Sequence, residues 1–251
     1  MTLRTIRKMK ISKYVAIAVA AIMPMCMQSC LGDDDDDIRN YPTALVTVVP
    51  QADGGFVMNL DENTTLVPDN MKASPFGTKE VRALVNYTEV GSRTSTRRVQ
   101  VNWIDSIRTK MPEKSLGSIA ADDAKYGIDP VEVINDWVTV AEDGYLTLRF
   151  RAIWGDRGIK HAINLVTDTD ADNPYALELR HNANGDVDGV MGDALVAFNL
   201  NDIDFGDKDT VKFTLTWTSF AGKQSATFDL KKRTPAASGM NRGMAYSIYV
   251  K

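Results

Sequence analysis

Cysteine is nearly missing from this chain: of 251 residues only Cys26 and Cys30 are cysteines. Both lie in the first thirty positions, so the bulk of the protein has no disulfide framework and no cysteine-based metal site. Histidine is as scarce, with His161 and His181 alone. They stand 20 residues apart with no third ligand beside them in sequence. A catalytic zinc usually takes three protein ligands, so both are expected to be surface residues of strands or loops. No Gly-x-Ser-x-Gly elbow is present to mark a serine nucleophile. Paired carboxylates for glycoside hydrolysis are available among 33 acids, but no motif singles out a pair. No apolar run reaches the roughly 20 residues of a membrane-spanning helix. Amphipathic helical periodicity is also rare.

What is present begins with an export signal. Arg4, Arg7, Lys8, Lys10 and Lys13 give a basic start, and Tyr14 to Met27 is apolar apart from Pro24. Ser29 supplies the small residue before Cys30. This order of basic, apolar and small segments is a secretory signal. With a cysteine at the cut it is a loose lipobox, since Met27 and Gln28 replace more usual residues. Met25 is too bulky to make Cys26 the site. Residues 1–29 are therefore expected to be removed and Cys30 to carry acyl chains, each buried CH2 contributing about 0.8 kcal/mol to anchoring. The segment 30–40 is an acidic tether. Asp33, Asp34, Asp35, Asp36 and Asp37 repel one another and stay hydrated. Such a run after a lipidated cysteine resembles the export signal that carries lipoproteins of the Bacteroidetes to the outer face of the outer membrane. It is also a solvating spacer.

The signal holds five of the 29 basic residues and no acid, which leaves 24 basic against 33 acidic residues, or −9, on the 222 residues that follow it. That balance argues against nucleic acid, whose phosphates it would repel, and against a basic membrane-facing surface.

Short runs rich in β-branched and aromatic residues, bounded by Gly, Asp, Asn and Pro, predict an all-β chain. Ala44–Val49, the turn Asp53-Gly54-Gly55, Phe56–Leu60, Thr64–Val67, Lys79–Val90 and Arg97–Ile107 give five strands over 41–111. That is the size of an OB-like small barrel. In Lys79–Val90, Val81, Ala83, Val85 and Tyr87 share a face and Leu84 is the exception. A slip of alternation near Trp103 and Ile104 suggests a bulge. Residues 112–130 break the pattern and are read as a linker. Over 131–251, further strands predict an antiparallel β-sandwich. They are Ile134–Val140, Tyr145–Trp154, Ala162–Val166, Tyr175–His181, Ala194–Leu200, Thr210–Trp217, Gln224–Leu230 and Ala245–Val250. In Tyr145–Trp154, Leu146, Leu148 and Phe150 define a buried face, and Thr147, Arg149 and Arg151 a wet one.

Two acidic loops invite comparison with calcium sites. Asp168, Asp170 and Asp172 alternate, but the EF-hand Gly and Glu positions hold Asn173 and Leu179, so no metal is expected and these three are weak candidates only. Asn182–Gly189 is more simply a turn. Among the four tryptophans, Trp154, before Gly155 at a strand end, is the candidate for an exposed stacking surface. No cofactor is expected.

The runs Tyr41–Val48, Phe56–Leu60, Thr65–Pro68, Lys79–Tyr87, Trp103–Ile107 and Tyr145–Trp154 resemble NigD-like lipoproteins of the Bacteroidetes. The resemblance implies an N-terminal OB-like barrel and a C-terminal β-sandwich. It also implies a role in bacteriocin immunity, which rests on gene neighbourhood and brings no site residues with it. The expected function is a non-enzymatic, lipid-anchored outer-membrane protein facing the cell exterior and binding a macromolecule. The rivals are bacteriocin immunity, a glycan-binding accessory lipoprotein and a metal-dependent hydrolase.

Overall fold

The computed structural model describes residues 41–91, 94–233, 246–247 and 249–250. The signal peptide, Cys30 and Asp33–Asp37 lie outside them. Seventeen strands and one helix make up the described residues.

Five strands close a barrel in the order β1-β2-β3-β5-β4: β1 (Thr43–Pro50), β2 (Phe56–Asn59), β3 (Thr65–Pro68), β4 (Val81–Val90) and β5 (Thr96–Ser106). The β1–β2 turn is fixed by Gly54, whose φ of 87° suits glycine. Val46, Val48, Met58, Leu66, Ala83, Val85 and Val99 fill the interior with no exposed surface. The bulge is real: β4 and β5 shift register where Asn86 pairs with Trp103 and Tyr87 with Val101, leaving Asn102 as the extra residue.

Two six-stranded sheets form the sandwich. One runs β16-β9-β10-β13-β6, with β8 also paired to β10; the other runs β17-β15-β14-β12-β11-β7. The first contains β6 (Arg108–Lys110), β8 (Glu132–Ile134), β9 (Val140–Glu142), β10 (Tyr145–Trp154), β13 (Val190–Asn199) and β16 (Tyr246–Ser247). The second contains β7 (Glu113–Lys114), β11 (Ala162–Thr167), β12 (Ala176–Asn182), β14 (Thr210–Ser219), β15 (Gly222–Lys231) and β17 (Tyr249–Val250). Hairpins are antiparallel, whereas β6–β13, β7–β11 and β12–β14 pair in parallel. Leu146, Leu148, Phe198, Leu165, Phe213, Leu215 and Trp217 meet between the sheets.

Residues 112–130 carry β7 and helix α1 (Ile119–Tyr126). Ser118 caps the helix by accepting from the Ala121 N–H, and Gly127 ends it at φ 83°. Lys110 crosses between the sheets, donating to the Ile163 carbonyl at 2.6 Å and the Asn164 side chain at 2.5 Å.

The readings of Ile134–Val140 and of the outer face of β10 need correction. Ile134–Val140 is not one strand: a turn at Asp136, whose carbonyl accepts from the Thr139 N–H, separates β8 from β9 and leaves Trp137 59% exposed. The face of β10 expected to be wet is half covered. Thr147 and Tyr145 are buried because the outer face of the barrel packs on them. Leu45 and Leu84 from the barrel meet Ile107, Val140, Tyr145, Leu195 and Ala197 in a third apolar cluster, which explains the out-of-phase Leu84.

Candidate functional site

Two polar assemblies stand out, one where the barrel meets the sandwich and one at a loop end of the sandwich. At the first, Arg82 on β4 is 1% exposed. Its Nη1 donates to Thr47 Oγ1 at 2.8 Å, its Nε to Thr147 Oγ1 at 3.4 Å, and its Nη2 pairs with Glu142. Burial pushes the Glu142 carboxyl up, and Arg82 pulls it back. Beside it, Tyr145 donates to Glu80 at 2.7 Å, Arg233 pairs with Glu80 and lies 3.1 Å from Asp143, and Asn59 donates to Asp143 at 3.3 Å. Burial, then Glu80, hold the Tyr145 phenol far above its ordinary value. The groups named in this seam pair with one another, which suits a rigid joint.

The second assembly lies where β10, β11 and β12 end. In the β11–β12 hairpin Ile163 pairs with His181, so His161 and His181 are diagonal neighbours on the core-facing side. His161 Nδ1 and His181 Nε2 are 2.9 Å apart. His161 Nε2 is 3.1 Å from Asp186 Oδ2, and His181 Nδ1 is 3.2 Å from the Pro130 carbonyl. The side chains of His161 and Asp186 are 3% and 6% exposed, and His181 is 2% exposed. The expectation of two separate surface histidines is therefore overturned: they close one end of the sandwich core together.

The surrounding backbone is built for this. Asn184 and Gly185 have φ of 52° and 85°, and the Asp186 N–H donates to the Ala183 carbonyl, a tight two-residue turn. That turn presents Asp186 to the Gly155 and Asp156 amides at 3.0 Å each. The Gly155 amide, above all, holds the Asp186 carboxyl below the usual carboxylate range. Gly155 is required by contact, since a Cβ there would sit 2.1 Å from the Asp188 carbonyl. Trp154 stacks on His161 with ring centroids 4.2 Å apart, and its indole N–H donates to the Gly192 carbonyl at 2.9 Å. Trp154 is thus half-buried, with one ring face and its polar tip already engaged; the tryptophans most open to solvent are Trp137 and Trp103.

The remaining sequence candidates lie apart from this cluster. Asp168, Asp170 and Asp172 are exposed, with Asp168 3.7 Å from Lys114 and Asp170 accepting from the Asp172 amide. No group of three or more His, Cys, Asp or Glu is placed to hold a metal ion among the described residues. On the outer face of the sandwich, Asp193 is gripped by Arg149 at 2.6 Å and Arg151 at 2.5 Å, and Arg149 also reaches Asp136 at 2.8 Å. The strand signal missed that β13 begins at Val190 rather than Ala194. There Val190 and Met191 pair with Trp154 and Ile153 yet are 73% and 53% exposed.

Comparison with known proteins matches residues 45–107 to the NigD-like N-terminal OB domain and residues 114–230 to the NigD-like C-terminal beta sandwich domain. A crystal structure from Parabacteroides distasonis ATCC 8503, described as toxin related, is 34% identical. The match covers 76% of this chain and 94% of that one, with a TM-score of 0.65. A protein of unknown function from Bacteroides vulgatus ATCC 8482 is 18% identical over 80% of this chain and 95% of that one, at a TM-score of 0.58. A NigD-like immunity protein from Bacteroides caccae ATCC 43185 is 19% identical over 72% and 88%, at 0.54. Curated proteins provide no match.

Proposed function

The chain belongs to the NigD-like family, and we propose that it is a lipid-anchored envelope protein that faces the cell exterior and binds a macromolecule without chemistry of its own. Cys30 is the anchor and Asp33–Asp37 the address and tether. The observation that carries the binding role is the loop end of the sandwich. Val187, Val190 and Met191 are all more than half exposed, on and beside a loop that Asp186 and the histidine pair tie down. Val190 and Met191, consecutive on β13, point to opposite sides of the sheet, and exposed apolar side chains on a fixed frame support the reading because little ordering cost is left for binding.

Placing a photoreactive phenylalanine analogue at Val190 and irradiating intact cells tests this. The reading expects an adduct of defined mass at Val190 and none with the same probe at Lys212 on β14. Equal labelling at both positions, or none at either, would remove the binding role from this surface.

Bacteriocin immunity is the second reading, favoured by the relative described as toxin related and the fold shared with a NigD-like immunity protein. It expects deletion of the gene to sensitise cells to a toxin from a neighbouring strain, and unchanged killing across a toxin panel would end it. Glycan stacking on Trp154 has less room, because His161 covers one ring face and Gly192 takes the indole N–H.

A further inference from the structure

The histidine pair can be read by counting protons. The Pro130 carbonyl only accepts, so the contact at 3.2 Å needs a proton on His181 Nδ1. The Asp186 carboxylate only accepts, so the contact at 3.1 Å needs a proton on His161 Nε2. The 2.9 Å contact between His161 Nδ1 and His181 Nε2 needs one proton between two nitrogens. All three contacts therefore require three ring protons on two imidazoles. The pair then carries one positive charge, which belongs to the pair, and Asp186 neutralises it.

Either change breaks the chain. With two protons at least one contact fails: a nitrogen lone pair faces the Pro130 carbonyl or the Asp186 carboxylate, or the two ring lone pairs face each other across 2.9 Å. With four, two N–H groups point at each other across 2.9 Å. The groups so joined belong to three separate segments: Pro130 after α1, Gly155–His161 between β10 and β11, and Ala183–Gly189 between β12 and β13. We propose that Asp186, His161, His181 and the Pro130 carbonyl form a proton-counted latch, which ties these three segments only over a bounded range of pH.

The neighbouring charges fit a ring pair that stops at three protons. Burial, the largest influence, pushes the His181 imidazole below its ordinary value, and the adjacent His161 acts the same way, while the Pro130 contact and Asp129 pull it back. Asp129 spends one oxygen on the Ala183 amide at 2.7 Å, and Asp156 spends one on the Gly158 amide at 2.7 Å. On the far side of His181, Asp123, Glu178, Arg180 and Lys223 line a hollow of about 200 Å³ that also reaches it. Trp154 and Ile163 complete the enclosure with apolar surface. The latch goes beyond the proposed binding role and does not depend on it. If both hold, pH sets whether Val187, Val190 and Met191 are presented on an ordered frame.

The test is ring ¹⁵N chemical shifts of both histidines in the full chain in detergent micelles, together with amide exchange of Gly155 and Asp156, from about pH 5 to about pH 8. The range brackets the ordinary histidine value of about 6.5. The latch expects three ring protons on the two histidines near the middle of the range. It also expects exchange at Gly155 and Asp156, corrected for intrinsic rate, to rise several-fold toward both ends. Asp186→Asn is expected to move the loss of the third proton to lower pH by at least a tenfold change in proton concentration. If that variant does not fold, His161→Gln serves in its place and is expected to flatten the pH dependence of exchange. Two or four ring protons at mid-range, or corrected exchange that stays level throughout, would overturn the proposal.

Discussion

Arg82 on the barrel donates from Nε to Oγ1 of Thr147 on the sandwich across 3.4 Å, and neither side chain is exposed to solvent beyond 1%. The same guanidinium pairs with Glu142. An ion pair removed from water recovers its desolvation cost only while both partners remain. Removing one leaves an uncompensated buried charge, whereas replacing both with apolar groups of similar volume is often neutral. Arg82→Ala is therefore expected to lower unfolding stability by about 3–5 kcal/mol. The double variant Arg82→Met with Glu142→Leu is expected to recover most of that loss. Urea unfolding monitored by tryptophan fluorescence measures both; equal losses in the single and double variants would show that the pair itself holds the joint.

The sandwich core should behave as one packed layer. Leu148 has no exposed surface and sits with Phe150, Leu165 and Phe213 in the same cluster. Leu148→Ala is expected to cost about 2–5 kcal/mol, from lost transfer energy and the cavity left behind. A loss below 1 kcal/mol in the same urea experiment would contradict this packing.

Gly155 offers a sharper steric test. A methyl group there would lie 2.1 Å from the Asp188 carbonyl, a backbone atom that cannot swing away. Gly155→Ala should destabilise by about 1–3 kcal/mol, the range for overpacking. It should also loosen the Asp186 contact. Gly185→Ala meets nothing within 4 Å and is strained only through its φ of 85°, so comparing the two separates crowding from backbone strain.

Acid stability should carry the mark of Asp193. Hydrogen bonds from Arg151, then Arg149, hold its carboxyl down at about 2, from an ordinary 3.8. A folded value below the unfolded one means that the unfolded chain takes up the proton first as pH falls. The stabilisation is thus fully present above about pH 4 and is lost between about pH 4 and about pH 2. Melting temperature in that interval should fall less steeply in Asp193→Asn than in the parent chain. Parallel curves would show that the clamp does not contribute.

The sequence carried the elements that obey strict alternation. Leu146, Leu148 and Phe150 announced the core face of β10, and the slip near Trp103 announced a bulge one residue away from where it lies. What escaped depends on contacts that alternation does not encode. Thr147, read as wet, is buried against Arg82 of the barrel, so its polar character pointed the wrong way. Val190 and Met191 join the strand through backbone pairing with β10 while their side chains stay largely in water. His161 and His181 meet because a hairpin register sets them diagonally on one face, a relation visible in the sequence only after both strands are aligned. Asp186 read as a turn former, and it is one of the loop's ordinary Asp residues until its carboxylate finds two amides and a ring.

The proposed role rests most heavily on where the protein faces. Protease treatment of intact cells, with the mature chain followed by immunoblot before and after the outer membrane is opened, tests that directly. Loss of the chain from intact cells, abolished when Asp33–Asp37 are replaced by serine, is the expected result. Full protection until the outer membrane is broken would contradict an exterior-facing binding protein and send the search for its partner to the periplasm.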